Sequence, residues 1–323
     1  MTQIDCIQIP LPNVGSVNAW LLRGDPLTLI DTGHRADEAI SALECGLDRH
    51  GLRVDDIELV LGTHHHHDHV GLAATIQRRS GARVGLLAAA ADYCADYDRR
   101  VELDRQFARE LMSTAGVPGR LHGVADELWS FIGGTAEPFV ADFELHAGDR
   151  VRAGGRDLTV AVRPGHSGTD TLFVDERARI AFGGDHLLAK ISSNTEIYRP
   201  ADPALTRSPS RLQYVDSLKL TARMPLVRML TGHGPPVAAH RALVRARMAQ
   251  QRRRSARIIR ALEQGPASAY GVAGELWSAA IVAAQPLLVV WEVLGHLDLL
   301  KAAGIVGESA DESGCLRYSL ARQ

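Results

Sequence analysis

The chain has 323 residues, with 36 Lys and Arg against 38 Asp and Glu. That length exceeds one typical domain and can bury a core without disulfides or a structural metal. The near-neutral balance does not indicate a globally basic nucleic-acid binder, although a local basic patch remains open.

The cysteines Cys6, Cys45, Cys94 and Cys315 contain no Cys-x-x-Cys pair, which favours a reducing compartment. The start lacks a basic stretch followed by an apolar one, and the apolar run from Ala279 to Leu294 is broken by Gln285, Pro286 and Glu292. A cytoplasmic protein with no membrane association is therefore expected.

Short apolar runs bounded by Gly and Pro predict strands at Asn18–Leu22 and Leu27–Ile30. Asp31-Thr32-Gly33 is a turn signal. Ala39, Ile40, Leu43 and Leu47 fall at helical spacing within 35–50. A buried strand at Ile57–Leu61 leads into His64-His65-His66-His67-Asp68-His69, followed by a helix over 70–79 closed by Gly81 and a strand at Arg83–Leu87. Residues 88–146 are charged, helical in period and rich in aromatics, and are read as a helical insertion or lid. Its aromatics serve either as core or as a substrate wall.

Strands return at Leu158–Val162, Thr171–Val174, Ile180–Phe182 and Met229–Leu230. After Pro235-Pro236 come a long amphipathic helix over 241–262, helices over 269–280 and 287–303, and a closing strand at Leu316–Leu320. The order divides the chain into a catalytic domain over 1–237 and a C-terminal helical domain over 238–323.

Strand–helix alternation gathers chemistry on the loops at strand ends. Five such loops carry metal-ligand residue types: Asp31-Thr32-Gly33, His64 to His69, Pro164 to Gly168, Gly183 to His186, and Thr231 to Gly234. His64 and His66, two apart on an extended segment, can face one pocket. Asp68 and His69, where the next helix opens, can face a second position. His166 and His233 would add a nitrogen to each, and Asp185 could bridge them. Imidazole and carboxylate suit zinc, and also iron or manganese. His65 and His67 alternate out of this pattern and are read as spacers.

The string Thr63-His64-x-His66-x-Asp68-His69, with the other loops in order, resembles the signature of the metallo-β-lactamase superfamily over about residues 10 to 237. The resemblance implies an αββα sandwich, class α/β, with two divalent metal ions, Zn2+ first. One ion would be held by His64, His66 and His166, the other by Asp68, His69 and His233, with Asp185 between them and Asp31 bracing the ligands from behind. His186 is a further candidate for bracing. True class B β-lactamases normally keep a Cys where Asp185 stands and lack the tail. That tail loosely resembles the winged-helix-like module of β-lactamase-like protein 2 and glyoxalase II-like groups.

The expected activity is hydrolysis of a small-molecule ester, thioester or lactone by a hydroxide held between the metals, with Asp68 as the catalytic proton carrier. Alternatives are an endoribonuclease or phosphodiesterase using the same ions, and an inactive binding module. Lys190, Asn194 and Tyr198 are candidate substrate contacts. The arginines of 241–260 form either a solvated or interdomain face or an anion site for coenzyme A or RNA. A homodimer is the default assembly.

Overall fold

The structure, a computed structural model, describes residues 3–12, 15–200, 202 and 204–321. A six-stranded sheet runs in the order β1 (Gln3–Leu11), β2 (Gly15–Arg23), β3 (Thr28–Ile30), β4 (Leu59–Leu61), β5 (Arg83–Leu87) and β6 (Phe143–Leu145). β1 to β3 are antiparallel and β3 to β6 parallel. Helices α1 (Asp37–Asp48), α2 (His67–Val70) and α3 (Ala73–Ser80) occupy the crossovers, and α4 (Ala88–Ala95) follows β5. A second, five-stranded sheet holds β7 (Arg150–Ala153), β8 (Arg156–Val162), β9 (Thr171–Asp175), β10 (Ile180–Phe182) and β11 (Arg228–Leu230), side by side in that order.

The period-two alternation of a strand explains the layering. On β2, Val17, Ala19 and Leu21 join α1, α3 and α4 in one apolar cluster, while Trp20 and Leu22 point the other way. There they meet Leu158, Val160, Phe173 and Phe182 of the second sheet. The outer face of that sheet, through Leu172, Val174 and Ala181, packs on α7 (Ser210–Arg223) and α8 (His240–Leu262) by way of Tyr214, Leu218 and Val244. The molecule is thus helix, sheet, sheet, helix, as the sequence resemblance implied.

The insertion consists of α4 with α5 (Tyr97–Thr114) and α6 (His122–Gly134), and its last residues form β6 and rejoin the first sheet. The tail comprises α9 (Ala269–Leu276), α10 (Ala279–Ala284), α11 (Pro286–Ala302) and the hairpin β12 (Val306–Ala310) and β13 (Leu316–Leu320). Insertion and tail share an apolar cluster: Tyr97, Met112 and Trp129 lie with Val272, Trp291, Leu294 and Tyr318. Insertion and tail therefore bury their apolar faces against each other.

Several elements differ from expectation. β1 was not expected because Pro10 interrupts it, although its buried Ile7, Ile9 and Leu11 alternate with exposed positions as in a half-buried strand. An edge strand tolerates that proline, which lies exposed. The predicted helix over 269–280 stops at Leu276, since Trp277 is extended and the Ser278 side chain caps a new helix at the Ile281 N–H. α7 was hidden by its mixed polarity, which includes the fully buried Arg211.

Candidate metal centre

The backbone brings the five loops to one end of the sandwich. The Thr171 N–H donates to the Thr63 carbonyl at 2.8 Å, tying the two sheets' loops together, and Gly232 N–H donates to Gly184 O at 2.7 Å. Gly232 has no room for a side chain, because a Cβ there would stand 2.3 Å from Asp185 Oδ1 and 2.6 Å from His69 Cε1. At Gly184, with φ of 46°, a Cβ would meet Thr63 Oγ1 at 2.4 Å. These glycines permit the close approach that the site requires.

The first group is His64, His66 and His166. His64 Nε2 and His166 Nε2 each lie 3.0 Å from His66 Nδ1. The opposite nitrogens fix the tautomers. His166 Nδ1 is 2.8 Å from the Asn194 carbonyl and His66 Nε2 is 2.9 Å from Glu196 Oε2, so each must donate there. The Thr63 hydroxyl donates to Asp31 Oδ2 at 2.9 Å and so accepts from His64 Nδ1 at 3.1 Å. When the rings are neutral, each points a lone pair inward, three acceptors facing one another with no donor between them. A cation satisfies that arrangement. Burial, then the neighbouring imidazoles, holds His64 well below the usual histidine range, keeping its lone pair free.

The second group is Asp68, His69 and His233. His69 Nδ1 donates to Asp31 Oδ2 at 2.8 Å and His233 Nδ1 to the Ser16 carbonyl at 2.7 Å, again turning both Nε2 atoms inward. His233 Nε2 lies 3.1 Å from Asp68 Oδ2 and 3.4 Å from Asp185 Oδ2, while His69 Nε2 lies 3.6 Å from Asp68 Oδ2 and 3.6 Å from Asp185 Oδ1. His69 Nε2 and Asp185 Oδ1 are buried without a hydrogen-bond partner, a costly state that a shared cation would relieve. Burial opposes charge on His69, yet Asp68, Asp31 and Asp185 push it up to about 10, because three carboxylates surround one buried ring. Burial also opposes ionisation of Asp68, but His69 and His233 hold it well below the carboxylate range.

Asp185 stands between the groups, 3.8 Å from His166 Nε2 on one side and 3.4 Å from His233 Nε2 on the other. Asp31 braces both. Besides His69, it accepts the Thr63 N–H at 2.8 Å, from a backbone with φ of 61°. Aspartate tolerates that left-handed conformation better than most residues.

His65 and His67 lie outside both groups. His65 Nδ1 pairs with Thr169 Oγ1 at 2.8 Å and its ring lies against Tyr93; His67 Nδ1 pairs with Thr135 Oγ1 at 2.8 Å beside Phe131. The residues read as spacers thus fasten the cluster to its surroundings. His186 departs from the expected bracing role. Its Nε2 meets Thr221 Oγ1 at 2.8 Å, on the α7 side, and its carbonyl accepts from Tyr214 Oη at 3.0 Å.

Of the substrate candidates, Asn194 lines the cavity beside the site, whereas Lys190 is exposed and lies outside that lining. Tyr198 stacks over Gly168 and donates to Gln213 Oε1 at 3.4 Å, bordering an adjoining hollow instead. Glu196 was missed, as was Asp170, whose Oδ2 accepts the His166 and Ser167 N–H groups at 2.8 and 3.0 Å. Asp170 follows the Pro164 to Gly168 loop by two residues, and that proximity was the available signal.

Three of the arginines of α8 serve the protein itself. Arg247 donates to the Leu188 and Ile191 carbonyls at 2.9 and 2.6 Å, Arg257 donates to Leu276 O at 2.7 Å, and Arg254 lies 4.5 Å over the Trp277 ring. A hollow of about 750 Å³ between α8 and α9, lined by Arg257, Arg260 and Glu275, touches none of the candidate ligands.

The sandwich with a His and Asp cluster at its loop end defines a metal-dependent hydrolase class. The model of the metallo-beta-lactamase superfamily matches residues 12–233, and the chain belongs to that family. It is similar to the probable metallo-hydrolase YqjP of Bacillus subtilis (strain 168), at 31% identity over 94% of each chain. Among solved structures, a metallo-beta-lactamase family protein from Thermus thermophilus superposes with a TM-score of 0.83 at 26% identity, covering 98% of both chains. A beta-lactamase domain protein from Burkholderia ambifaria gives 0.83 at 24%, covering 98% of this chain and 92% of that one. Both superpositions extend through insertion and tail. The family and the cluster together imply a divalent metal.

Proposed function

We propose that the protein is a binuclear metal-dependent hydrolase, most simply a zinc enzyme, that cleaves a small ester or thioester. The observation that carries this reading is the pair of ligand groups, His64, His66, His166 and Asp68, His69, His233, with Asp185 reaching both. Two divalent ions held there would supply a hydroxide near neutral pH, by lowering the pKa of water from about 15.7 to about 7, and Lewis acidity toward a carbonyl oxygen.

The chain's own residues do the rest. Thr63, Glu196, Asn194, Asp31 and Ser16 lock the five rings, so little reorganisation is needed when charge develops on the substrate oxygen. Asp68 has its carboxylate at the substrate-facing edge and is assigned to take the proton from the nucleophile and pass it to the leaving group. Lys190 takes no part. The tail's order of helices followed by an antiparallel hairpin supports a winged-helix-like reading of residues 238–323, and α8 is assigned an interdomain role. No described helix is long and apolar enough to cross a membrane.

A panel of thioesters, lactones, bis(4-nitrophenyl) phosphate and labelled single-stranded RNA tests the substrate class on metal-reconstituted protein. Turnover of thioesters or lactones, abolished by Asp185→Asn with the circular dichroism spectrum unchanged, is expected. Cleavage of RNA or the phosphodiester alone overturns the ester reading.

A further inference from the structure

The site opens into a cavity of about 310 Å³, near the lower end of the ~300–1,000 Å³ usual for small-ligand pockets. His66, Asp68, His166 and Asp185 form its floor. The facing wall comes from two distant segments: Leu128, Trp129 and Ile132 from the insertion, Leu288 and Trp291 from α11 of the tail. None of the described residues lining it is Lys or Arg, and its polar rim includes the carboxylate of Glu196. A phosphate or sulfate lodged against the wall would therefore find no lysine or arginine to pair with. Leu128, Ile132 and Leu288 are only half-buried although their helices are packed on one cluster, so apolar surface stays open to the cavity for an occupant to cover. The wall is also held in place from behind: Arg207, itself buried, joins Asp298 of α11 at 2.5 Å and Glu308 of β12 at 3.0 Å.

We infer that the group attached to the scissile carbonyl is a compact, uncharged, apolar acyl chain, seated between insertion and tail against Leu128, Ile132, Trp129, Leu288 and Trp291. This inference rests on the hydrolase reading of the metal centre and sharpens it. A nucleotide or other polyanionic part of a thioester substrate stays outside the cavity, on the leaving-group side.

The test uses the full chain reconstituted with zinc and the 4-nitrophenyl esters of acetate, butyrate and hexanoate, which share one leaving group. kcat/KM is expected to climb by about fourfold for each methylene buried, until the cavity is full. Leu288→Lys and the milder Leu128→Ser should each flatten that slope while circular dichroism shows the native fold. A binding readout needs no turnover: 2-octanone, compared with acetone, is titrated against the chain's tryptophan emission, to which Trp129 and Trp291 of the cavity wall contribute. 2-Octanone should bind at least tenfold more tightly than acetone, and Leu288→Lys should erase the difference. If 2-octanone binds selectively but no ester or thioester is cleaved, the cavity assignment stands and the hydrolase reading fails. If esters are cleaved with no dependence on chain length and the two ketones bind alike, the apolar-acyl inference is overturned and the hydrolase reading stands.

Discussion

His66 shows how much of the centre rests on residues behind it. Its Nδ1 faces His64 and His166 only because its Nε2 is engaged by Glu196 at 2.9 Å. Glu196→Gln removes the charge from that contact while keeping its size, and partners of this kind are typically worth about 10- to 100-fold in metal affinity or activity. Competition with a chromogenic chelator should register a loss of that order at unchanged helicity, and undiminished affinity would contradict the bracing role. Residue types made the ligands legible in the sequence, since His, Asp and Gly recur at strand ends. Glu196 was not legible, because it lies in an irregular loop where one acidic residue looks like any other. Its role exists only once the fold carries it 130 positions back to His66.

At the scale of elements, α7, α8 and α11 are joined by a buried polar knot. Arg211 of α7 reaches Glu292 of α11 and donates to Gln251 of α8 at 3.1 Å, while Arg254 of α8 and His296 of α11 lie 3.8 and 3.4 Å from the same Glu292 carboxylate. Burial would raise Glu292, but Arg211 above all holds it well below the usual carboxylate range. A carboxylate lowered in the fold adds stability above its unfolded pKa and loses it as pH falls through the folded value. Stability should therefore decline below about pH 4.5 through this group, the ordinary value from which it is displaced. Arg211→Ala strands Glu292 and should cost about 3 kcal/mol at neutral pH. Urea unfolding across pH should show that loss shrinking toward acid, and a pH-independent loss would contradict the coupling. The sequence revealed the strongly periodic or glycine-bounded elements, β5, β10 and β13 with the same boundaries. It hid α7 and β12, where a buried arginine or an exposed, glycine-containing hairpin strand blurs the pattern.

The whole molecule is a sandwich whose active end is completed by two remote segments. Tyr97 and Trp129 of the insertion pack with Trp291 and Tyr318 of the tail, so neither segment can open without exposing the other's apolar face. Calorimetry should show one cooperative transition, with calorimetric and van't Hoff enthalpies equal; two separate transitions would contradict a shared core. The layered sandwich was legible in the sequence through the resemblance that Thr63-His64-x-His66-x-Asp68-His69 and the order of the other loops carry, while strand and helix periodicity supplied only the separate elements. The union of insertion and tail was not, because nothing in either segment's own pattern names its partner.

The proposed function requires the two ligand groups to hold a pair of divalent ions serving one reaction. Elemental analysis of the protein, reconstituted with zinc and desalted, tests it most directly when set beside His233→Ala. Two equivalents of metal per chain are expected in the wild type, falling to about one in the variant with hydrolysis lost. A wild-type protein that turns over ester substrate with no more than one tightly bound ion, or a His233→Ala protein that retains both ions, would contradict it.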